Sequence, residues 1–433
     1  MKFILMAVII GALQAGVGGV FAAEQVTPLT LKQAWRIALN NHPLIQSSEL
    51  MTRAAGQDVE IARSDYYPQI WGNAVGAVAS AGTRIAAPDG INNPSVIGRG
   101  SMGISLTQLI TDFGRTHYQV QAAKAREDAE AAKTEDTRET VLLDVTRSYY
   151  DTLRAQALLR VAEATLTARN DFLEQIKVMH DVGRRSDLDL SIARQEAAEA
   201  ELLRTQAQSG VDDAFAVLSQ SLGYGSKRQF ALQAATMAPL PSGFDGLARH
   251  ALDQNPRLRE LRAEITAARR TYEAERAINY PTVSAVGYAG LTPIRDPARI
   301  NGNYSAAGVV LNVPVFTGGR LSAAGQKAKL DESALERDLQ AEENDISRDM
   351  RVAWNGTNTA YKSIDTTKEM LDSANKALDL TTAGFQLGRN SIVDLSQAKL
   401  NQIRAKIANV NAMYDYLIQR AILEYKIGDL SSS

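Results

Sequence analysis

The hexapeptide ALNNHP at residues 38–43 recurs as ALDQNP at residues 251–256, an offset of 213 positions. The same offset carries Tyr67-Pro68 onto Tyr280-Pro281. Self-similarity at one fixed spacing is the signature of a structural unit that is repeated along the chain. The sequence therefore predicts a fold built from two copies of one unit.

Further along the chain, from about Gly103, the offset shortens to 205 residues. It relates Gly114-Arg115 to Gly319-Arg320, Gly183-Arg184 to Gly388-Arg389, Asp189-Leu190-Ser191 to Asp394-Leu395-Ser396, and Gly223 to Gly428. The difference of eight residues falls between Pro68 and Gly103. One loop of the first copy is therefore longer than its counterpart in the second.

Residues 1–22 have the pattern of a secretory signal peptide. Lys2 gives a positive start, an apolar run extends from Phe3 to Val20, and Val20 and Ala22 are the small residues expected before a cleavage site. The apolar run is shorter than a membrane-spanning helix requires, and no cysteine follows the cleavage point, which excludes a lipoprotein. We expect an exported protein whose mature chain begins near Ala23.

Composition excludes several classes of function. The 433 residues include no cysteine, so neither disulfides nor thiolate metal sites are expected. The formal net charge of −2 argues against nucleic acid as a partner, and no run of about 18 apolar residues follows the signal peptide. The four histidines are far apart, and phosphate-binding loops and nucleophile elbows are missing. We predict no enzyme, no cofactor and no metal site.

Each copy begins with a short helix and two strands. The helices are predicted at Pro43–Tyr66 and Pro256–Asn279, each ending at a Tyr-Pro, because proline is tolerated at the entry to a strand. The strands are predicted at Gln69–Ala79, Ile97–Gln108, Thr282–Ala289 and Tyr304–Val313, with turns at Gly82–Val96 and Gly290–Asn303. One face of each strand is apolar and the other small or polar, as in Met102, Ile104 and Leu106. Such segments of about ten residues are typical of transmembrane β-strands.

A long helix follows each pair of strands. Arg115–His180 and Arg320–Phe385 contain no proline, and about 66 helical residues would extend about 100 Å. Glycine-centred turns then reverse the chain, and a helix of about 37 residues returns to Gly223 or Gly428. The returning helix and the outward helix cover the same length only if the short helix of about 24 residues stacks end to end on the returning helix. We predict that it does.

The return helices carry coiled-coil stripes. Leu400, Ile403, Ile407, Val410, Tyr414, Leu417 and Ala421 keep the 3-4 spacing of a coiled-coil seam. A second stripe of Ala398, Ala405 and Ala412 repeats every seven residues, and the first copy follows the same rule from Leu190 to Leu218. Periodicity alone would fit a plain antiparallel coiled-coil rod. The four predicted β-strands argue against a rod that consists of helices only.

Four membrane strands in one chain cannot form a closed sheet. An unpaired sheet edge is not tolerated in lipid, and barrels of this class begin at eight strands. Several chains must therefore combine their strands. Two chains would give eight strands around a filled interior, whereas three would give twelve around a channel. We favour three.

The mature chain carries a set of short motifs in a fixed, duplicated order: Leu29–Ala34, Phe113-Gly114-Arg115, Phe316–Arg320, the two Tyr-Pro pairs, and the turn from Gly388 to Asp394-Leu395. This order, over the whole mature chain, is a resemblance to the TolC family of outer-membrane efflux proteins. It implies an α+β membrane protein of a Gram-negative bacterium: a homotrimer with a twelve-stranded β-barrel in outer-membrane lipid, continued by a long α-helical barrel through the periplasm. The implied division is a signal peptide at 1–22, a first repeat at 23–223, an equatorial linker at 224–249, a second repeat at 250–428 and a tail at 429–433.

The resemblance also implies two kinds of functional site. The turns Val182-Gly183-Arg184 and Leu387-Gly388-Arg389 would contact a periplasmic adaptor protein, although glycine at a helix end also has a purely structural explanation. Asp394, with Asp189 as its counterpart, would line the periplasmic constriction, although each aspartate also completes a helix capping box. This sequence has Gln397 where a second acidic ring would be, and Phe385 and Asn390 replace a tyrosine and an arginine of the family's gating network.

The function implied is a passive exit duct that works with a periplasmic adaptor and an inner-membrane pump, either ABC or proton-driven. Efflux of small molecules is slightly preferred, and type I protein secretion is the alternative. The same duct serves both processes, so nothing in this chain separates them, because the pump selects the substrate. A periplasmic coiled-coil scaffold without a pore is the alternative from another class.

Overall fold

Helices and strands alternate in the same order in both halves of the chain. The computed structural model describes residues 28–78, 99–241, 243–295, 302–428 and 430. The predicted signal peptide and the first predicted β-turn at 82–96 lie outside these residues. The elements are α1 (Leu31–Asn41), α2 (Pro43–Ser64), β1 (Gln69–Ala77), β2 (Arg99–Thr111), α3 (Arg115–Asp181), α4 (Asp187–Ser221), α5 (Phe244–Gln254), α6 (Pro256–Ala277), β3 (Thr282–Ile294), β4 (Asn303–Asn312), α7 (Arg320–Gln386) and α8 (Ile392–Ile427).

Matching residues of the two copies set the matching helix ends. Proline occupies the first position of both α2 and α6, where its missing N–H costs nothing. The residue before each proline caps the helix: His42 Nδ1 accepts a hydrogen bond from Leu44 N at 3.3 Å, and Asn255 Oδ1 accepts one from Arg257 N at 2.9 Å. The long helices α3 and α7 contain 67 residues each, so each extends about 100 Å. The predicted duplication is confirmed.

The short helices stack on the returning helices as predicted. The end of α4 meets the start of α2 at Gly223, where an added Cβ would lie 2.8 Å from the carbonyl oxygen of Asn41. At the equivalent joint, the end of α8 at Gly428 approaches Gln254 and Asn255, just before α6. Gly223 has a φ of +84° and leaves no room for a side chain, so only glycine fits this contact.

The four strands form one antiparallel sheet in the order β1-β2-β3-β4. The strand β3 is longer than predicted, because Gly290–Ile294 continues the strand where the sequence predicted a turn. Gly290 is paired with Gly103 of β2 on one side and with Tyr304 of β4 on the other. A Cβ at Gly290 would lie 2.4 Å from the Tyr304 hydroxyl oxygen, so the glycine provides the space that the tyrosine fills.

In a single chain the helices form a row with α3 near its centre. Helices α2, α4, α6 and α8 pack against α3, and α7 packs against α6 and α8. Although α3 and α7 have equal length, α3 buries many more side chains than α7. The alanine stripe Ala398, Ala405 and Ala412 is buried, whereas Leu400 of the larger stripe remains 38% exposed. The row thus leaves apolar side chains uncovered at its flanks.

Segments from both copies wrap the middle of the helices. The chain after α4 pairs with the N-terminal segment through a bridge between Leu29 and Leu232. The hydroxyl of Tyr149 on α3 donates to the carbonyl oxygens of Leu29, at 2.8 Å, and Gln233, at 2.9 Å. Helix α5 begins inside the predicted linker 224–249 and continues beyond it. Its N-cap is Gly243, which has no side chain to cap the helix, so no capping motif marks its start.

Among the residues that the structure describes, no helix combines the length and the apolar character needed to cross a membrane.

Candidate functional site at the helical tips

The two turns that reverse the long helices have the same backbone geometry. Gly183 and Gly388 have φ values of +74° and +71°, in the region that favours glycine. In the first turn the N–H of Gly183 donates to His180 O at 2.8 Å, and in the second the N–H of Gly388 donates to Phe385 O at 3.1 Å. The next residues, Arg184 and Arg389, close the helix ends with further backbone hydrogen bonds. Each turn is therefore a glycine-terminated helix end.

Each returning helix opens with a reciprocal capping box. Ser186 Oγ accepts from Asp189 N at 3.2 Å, and Ser186 N donates to the Asp189 carboxylate at 3.1 Å. In the second copy, Ser391 Oγ accepts from Asp394 N at 3.1 Å, and Ser391 N donates to the Asp394 carboxylate at 2.9 Å. The side-chain and backbone hydrogen bonds from Ser391 lower the pKa of Asp394, so this carboxyl group is ionised at neutral pH. The capping role predicted for both aspartates is confirmed.

Both tips expose apolar side chains at equivalent positions. Val182 and Leu387, immediately before the two glycines, are 66% and 69% exposed. Leu188 and Val393, in the first turns of the returning helices, are 65% and 60% exposed. Leu188 and Val393 were not among the predicted contact residues, although they occupy matching positions at the 205-residue offset. Each tip therefore presents two apolar side chains beside an exposed arginine, Arg184 or Arg389.

The chemistry behind these apolar pairs differs between the tips. In the first tip His180 Nε2 lies 2.8 Å from the Asp187 carboxylate, and hydrogen bonds to Asp187 and Asp181 raise the pKa of His180. In the second tip the equivalent positions are Phe385 and Ile392, and both are buried. The first tip is therefore charged where the second is apolar.

A hydrophobic cluster joins the two tips. Its buried members come from both helical hairpins: Ile176, Leu190, Ala193, Phe385, Ile392 and Leu395. Asn390 lies outside this cluster, and its side-chain amide donates to Thr381 O of its own hairpin at 3.2 Å. Phe385 thus makes contacts between the hairpins, whereas Asn390 makes its contact within one hairpin.

The predicted constriction residues lie on two different helices. Asp394 and Gln397 are exposed and three residues apart near the start of α8, and the Gln397 amide donates to Asn401 Oδ1 at 2.9 Å. Asp189 lies near the start of α4. Within the described residues no cluster of three or more His, Asp or Glu side chains could hold a metal ion.

Comparison with known proteins agrees with this duplicated architecture. The outer membrane efflux protein family matches residues 35–224 and 247–429. The chain belongs to this family. Membership confirms the outer-membrane location that the sequence predicted, and the two matched segments correspond to the two copies.

Relatives of this family member cover nearly its whole length. The outer membrane efflux protein BepC of Brucella suis is 24% identical over 402 residues, which make up 93% of this chain and 86% of BepC. The outer membrane protein TolC of Escherichia coli is 24% identical over 440 residues, or 99% of this chain and 87% of TolC. The crystal structure of the Campylobacter jejuni CmeC outer membrane channel has a TM-score of 0.79 at 18% identity, covering 92% of this chain and 86% of CmeC. The predicted fold class and the TolC-family resemblance are confirmed.

Proposed function

We propose that this protein is the exit duct of an export machine, a homotrimeric outer-membrane channel that docks on a periplasmic adaptor and, through it, on an inner-membrane pump. The observation that carries this proposal is the incomplete closure of the single chain. Among the described residues, the sheet ends at the unpaired edges of β1 and β4, and the row of helices, about 100 Å long, leaves Val352 and Leu380 of α7 exposed. Family membership supports the same function.

The same neighbouring chains would complete both the sheet and the row of helices. In one chain β1 and β4 are the edge strands, and a sheet edge in lipid must be paired because no water is present to satisfy it. Helix α6 packs between α3 and α7, so by the repeat the equivalent helix α2 would pack between α3 and the α7 of a neighbouring chain. Three chains related in this way would pair every edge strand in a twelve-stranded barrel and close the helices into one wall.

The tips suit an adaptor with apolar side chains. The pairs Val182 with Leu188 and Leu387 with Val393 are exposed, although apolar side chains at a helix end gain stability only when they are covered. A helical hairpin of a partner protein could cover one such pair and place a carboxylate against Arg184 or Arg389. We therefore assign adaptor contact to both turns, Val182-Gly183-Arg184 and Leu387-Gly388-Arg389.

Small-molecule efflux remains our preferred process, with type I protein secretion as the alternative. The same passive duct serves either process, and the pump would select the substrate. A proton-driven pump encoded beside this gene would favour efflux, whereas an ABC exporter would favour secretion.

Planar-bilayer recording tests the proposed duct. Purified protein should migrate as a heat-sensitive trimer and should conduct ions when it is added to a lipid bilayer. A stable monomer with a complete sheet, or a trimer with no conductance under any condition, would contradict the duct and favour a periplasmic scaffold.

Replacing Asp394 with asparagine should reduce the cation selectivity of the duct. If three copies of Asp394 converge at the periplasmic mouth, mutual repulsion opposes the pKa-lowering effect of the Ser391 cap, but their field still concentrates cations. Asparagine retains most of the capping function without the charge. We expect the cation-to-anion permeability ratio to fall about tenfold, together with reduced block by multivalent cations, in bilayer recordings.

The matched control for this variant is Asp189→Asn, which changes the equivalent capping box in the first copy. We expect a smaller effect from it, because the second copy is proposed to line the constriction more closely. Unchanged selectivity and unchanged block in Asp394→Asn would show that this aspartate acts only as a helix cap.

A further inference from the structure

Four side chains near the tips form a continuous stack. The ammonium nitrogen of Lys399 lies 3.1 Å from the centre of the Phe172 ring. The Phe172 ring lies 6.1 Å from the Phe385 ring, centre to centre. The guanidinium carbon of Arg185 lies 4.1 Å from the centre of the Phe385 ring. Two cations therefore enclose two aromatic rings, which are favourable neighbours for positive charge.

Every contact in this stack connects the two helical hairpins. Phe172 belongs to α3 and Arg185 to the turn after it, so both lie in the first hairpin. Phe385 belongs to α7 and Lys399 to α8, so both lie in the second. Separation of the hairpins at this height would break all three contacts at once. The stack is thus positioned to hold the hairpins together.

Lys399 is an unusual member of the stack. Its ammonium nitrogen is shielded from solvent, and it has no hydrogen-bond partner among the described residues. A cation–π contact replaces only part of the hydration that a buried ammonium loses. The contact between the hairpins is therefore less stable whenever the buried Lys399 side chain is charged.

The charged groups around Lys399 do not remove this cost. One carboxylate that acts on Lys399, that of Glu196 on α4, is already bound to Arg169 of α3 in a buried ion pair with an N–O distance of 2.5 Å. Glu196 favours the charged form of Lys399, and Arg169 opposes it. On α7, Lys376 and Asp379 are exposed to solvent, where their fields are screened.

We propose that the Lys399–Phe172–Phe385–Arg185 stack is a latch between the two hairpins, and that the buried ammonium of Lys399 weakens this latch whenever it is protonated. The latch rests on the proposed function, because we assign it to the closed state of the periplasmic mouth of the duct. Opening would separate the hairpins and return Lys399 to water. Proton binding at Lys399 would thus favour the open state.

The direction of the pH effect follows from burial. Desolvation lowers the pKa of Lys399 from 10.5 to about 8 in the packed state, whereas the pKa would recover toward 10.5 once the side chain is in water. The open state therefore binds more protons, and a rise in pH favours the closed state. Between pH 7 and pH 9 the ratio of open to closed states should fall about tenfold for each copy of Lys399 in the mouth.

Bilayer recordings of the purified trimer at pH 7 and pH 9 test the latch. We expect the ratio of open to closed time of the wild type to fall at least about tenfold over this range. Lys399→Met should keep the mouth closed, with an open fraction at pH 7 at least about tenfold below that of the wild type and little change at pH 9. Phe172→Leu, which removes a ring from the middle of the stack, should raise the open fraction at both pH values.

Lys376→Met is the matched control, because it removes an exposed ammonium from the same end of the second hairpin, and it should retain the pH response of the wild type. If Lys399→Met opens the mouth, or if it responds to pH as the wild type does, the proposed role of the ammonium is overturned. If Phe172→Leu leaves the open fraction unchanged, the stack is not a latch.

Absence of conductance in every protein, including the wild type, would instead contradict the duct function. Should Lys399→Met fail to assemble, the pH response of the wild type alone decides, and a flat response overturns the role of the ammonium.

Discussion

Proline at Gly388 is expected to abolish export in cells while the duct itself still assembles and conducts. Gly388 has a φ of +71°, and its N–H donates to Phe385 O at 3.1 Å. Proline fixes φ near −65° and has no N–H, so it is incompatible with this turn on both counts, at a cost of about 3 kcal/mol or more. The tip would rearrange, and the apolar pair of Leu387 and Val393 would lose the geometry that we propose for docking. Gly183→Pro should do the same to the first tip.

Three measurements distinguish docking from folding for these variants. Trimer migration on unheated gels and bilayer conductance should be retained, whereas export in cells and co-purification of the adaptor should fall at least about tenfold. Gly388→Asn is the control, since asparagine tolerates a positive φ and keeps its N–H. Loss of the trimer would show that the glycines are purely structural. Normal export by the proline variants would remove the turns from the docking proposal.

A carboxylate at Val352 is expected to prevent assembly of the trimer. Val352 of α7 is 64% exposed in the single chain, and Leu380, at the same heptad position four repeats later, is 75% exposed. If a neighbouring chain covers this stripe, Val352→Asp buries an uncompensated charge in each of three interfaces. Such a charge costs about 3–5 kcal/mol, so the trimer yield should fall by well over tenfold. Size-exclusion chromatography with light scattering measures the yield.

The control for this variant is Lys368→Asp, which introduces the same carboxylate on the opposite side of α7. Lys368 is exposed, and this change should leave the trimer yield near that of the wild type. A normal yield of Val352→Asp trimers would show that α7 does not face a neighbouring chain at this height.

Much of the fold could be predicted because the residues that begin and end helices occur at matching positions in both copies. Glycines at 183 and 388, prolines at 43 and 256, and the two Ser-x-x-Asp capping boxes mark helix ends by local chemistry, and each mark occurs twice. The structure places helix boundaries within a few residues of these marks. The stacking of short helices on returning helices also followed from length alone, since an outward helix and its return must cover the same distance.

The misses arise where a long-range contact determines local structure. Gly290 reads as a turn residue, but it continues β3 because Tyr304 of the next strand fills the space above it. No pattern in the sequence distinguishes Lys399 from the other lysines, and only the packing of α8 against α3 places it over Phe172. The acidic ring at Asp394 and the adaptor contacts remain predictions, because both depend on chains other than this one.

The joints at Gly223 and Gly428 have a mechanical consequence. Helices α3 and α7 run uninterrupted, whereas α4 meets α2, and α8 meets α6, end to end with no shared helical hydrogen-bond ladder. Columns of the wall therefore alternate between continuous rods and rods with a break at mid-height. A continuous helix resists twisting along its whole length, whereas at each joint no helical hydrogen bond couples the rotation of the two halves. We therefore expect part of a torsion applied at the tips to be taken up at these joints near mid-height, before it reaches the strands.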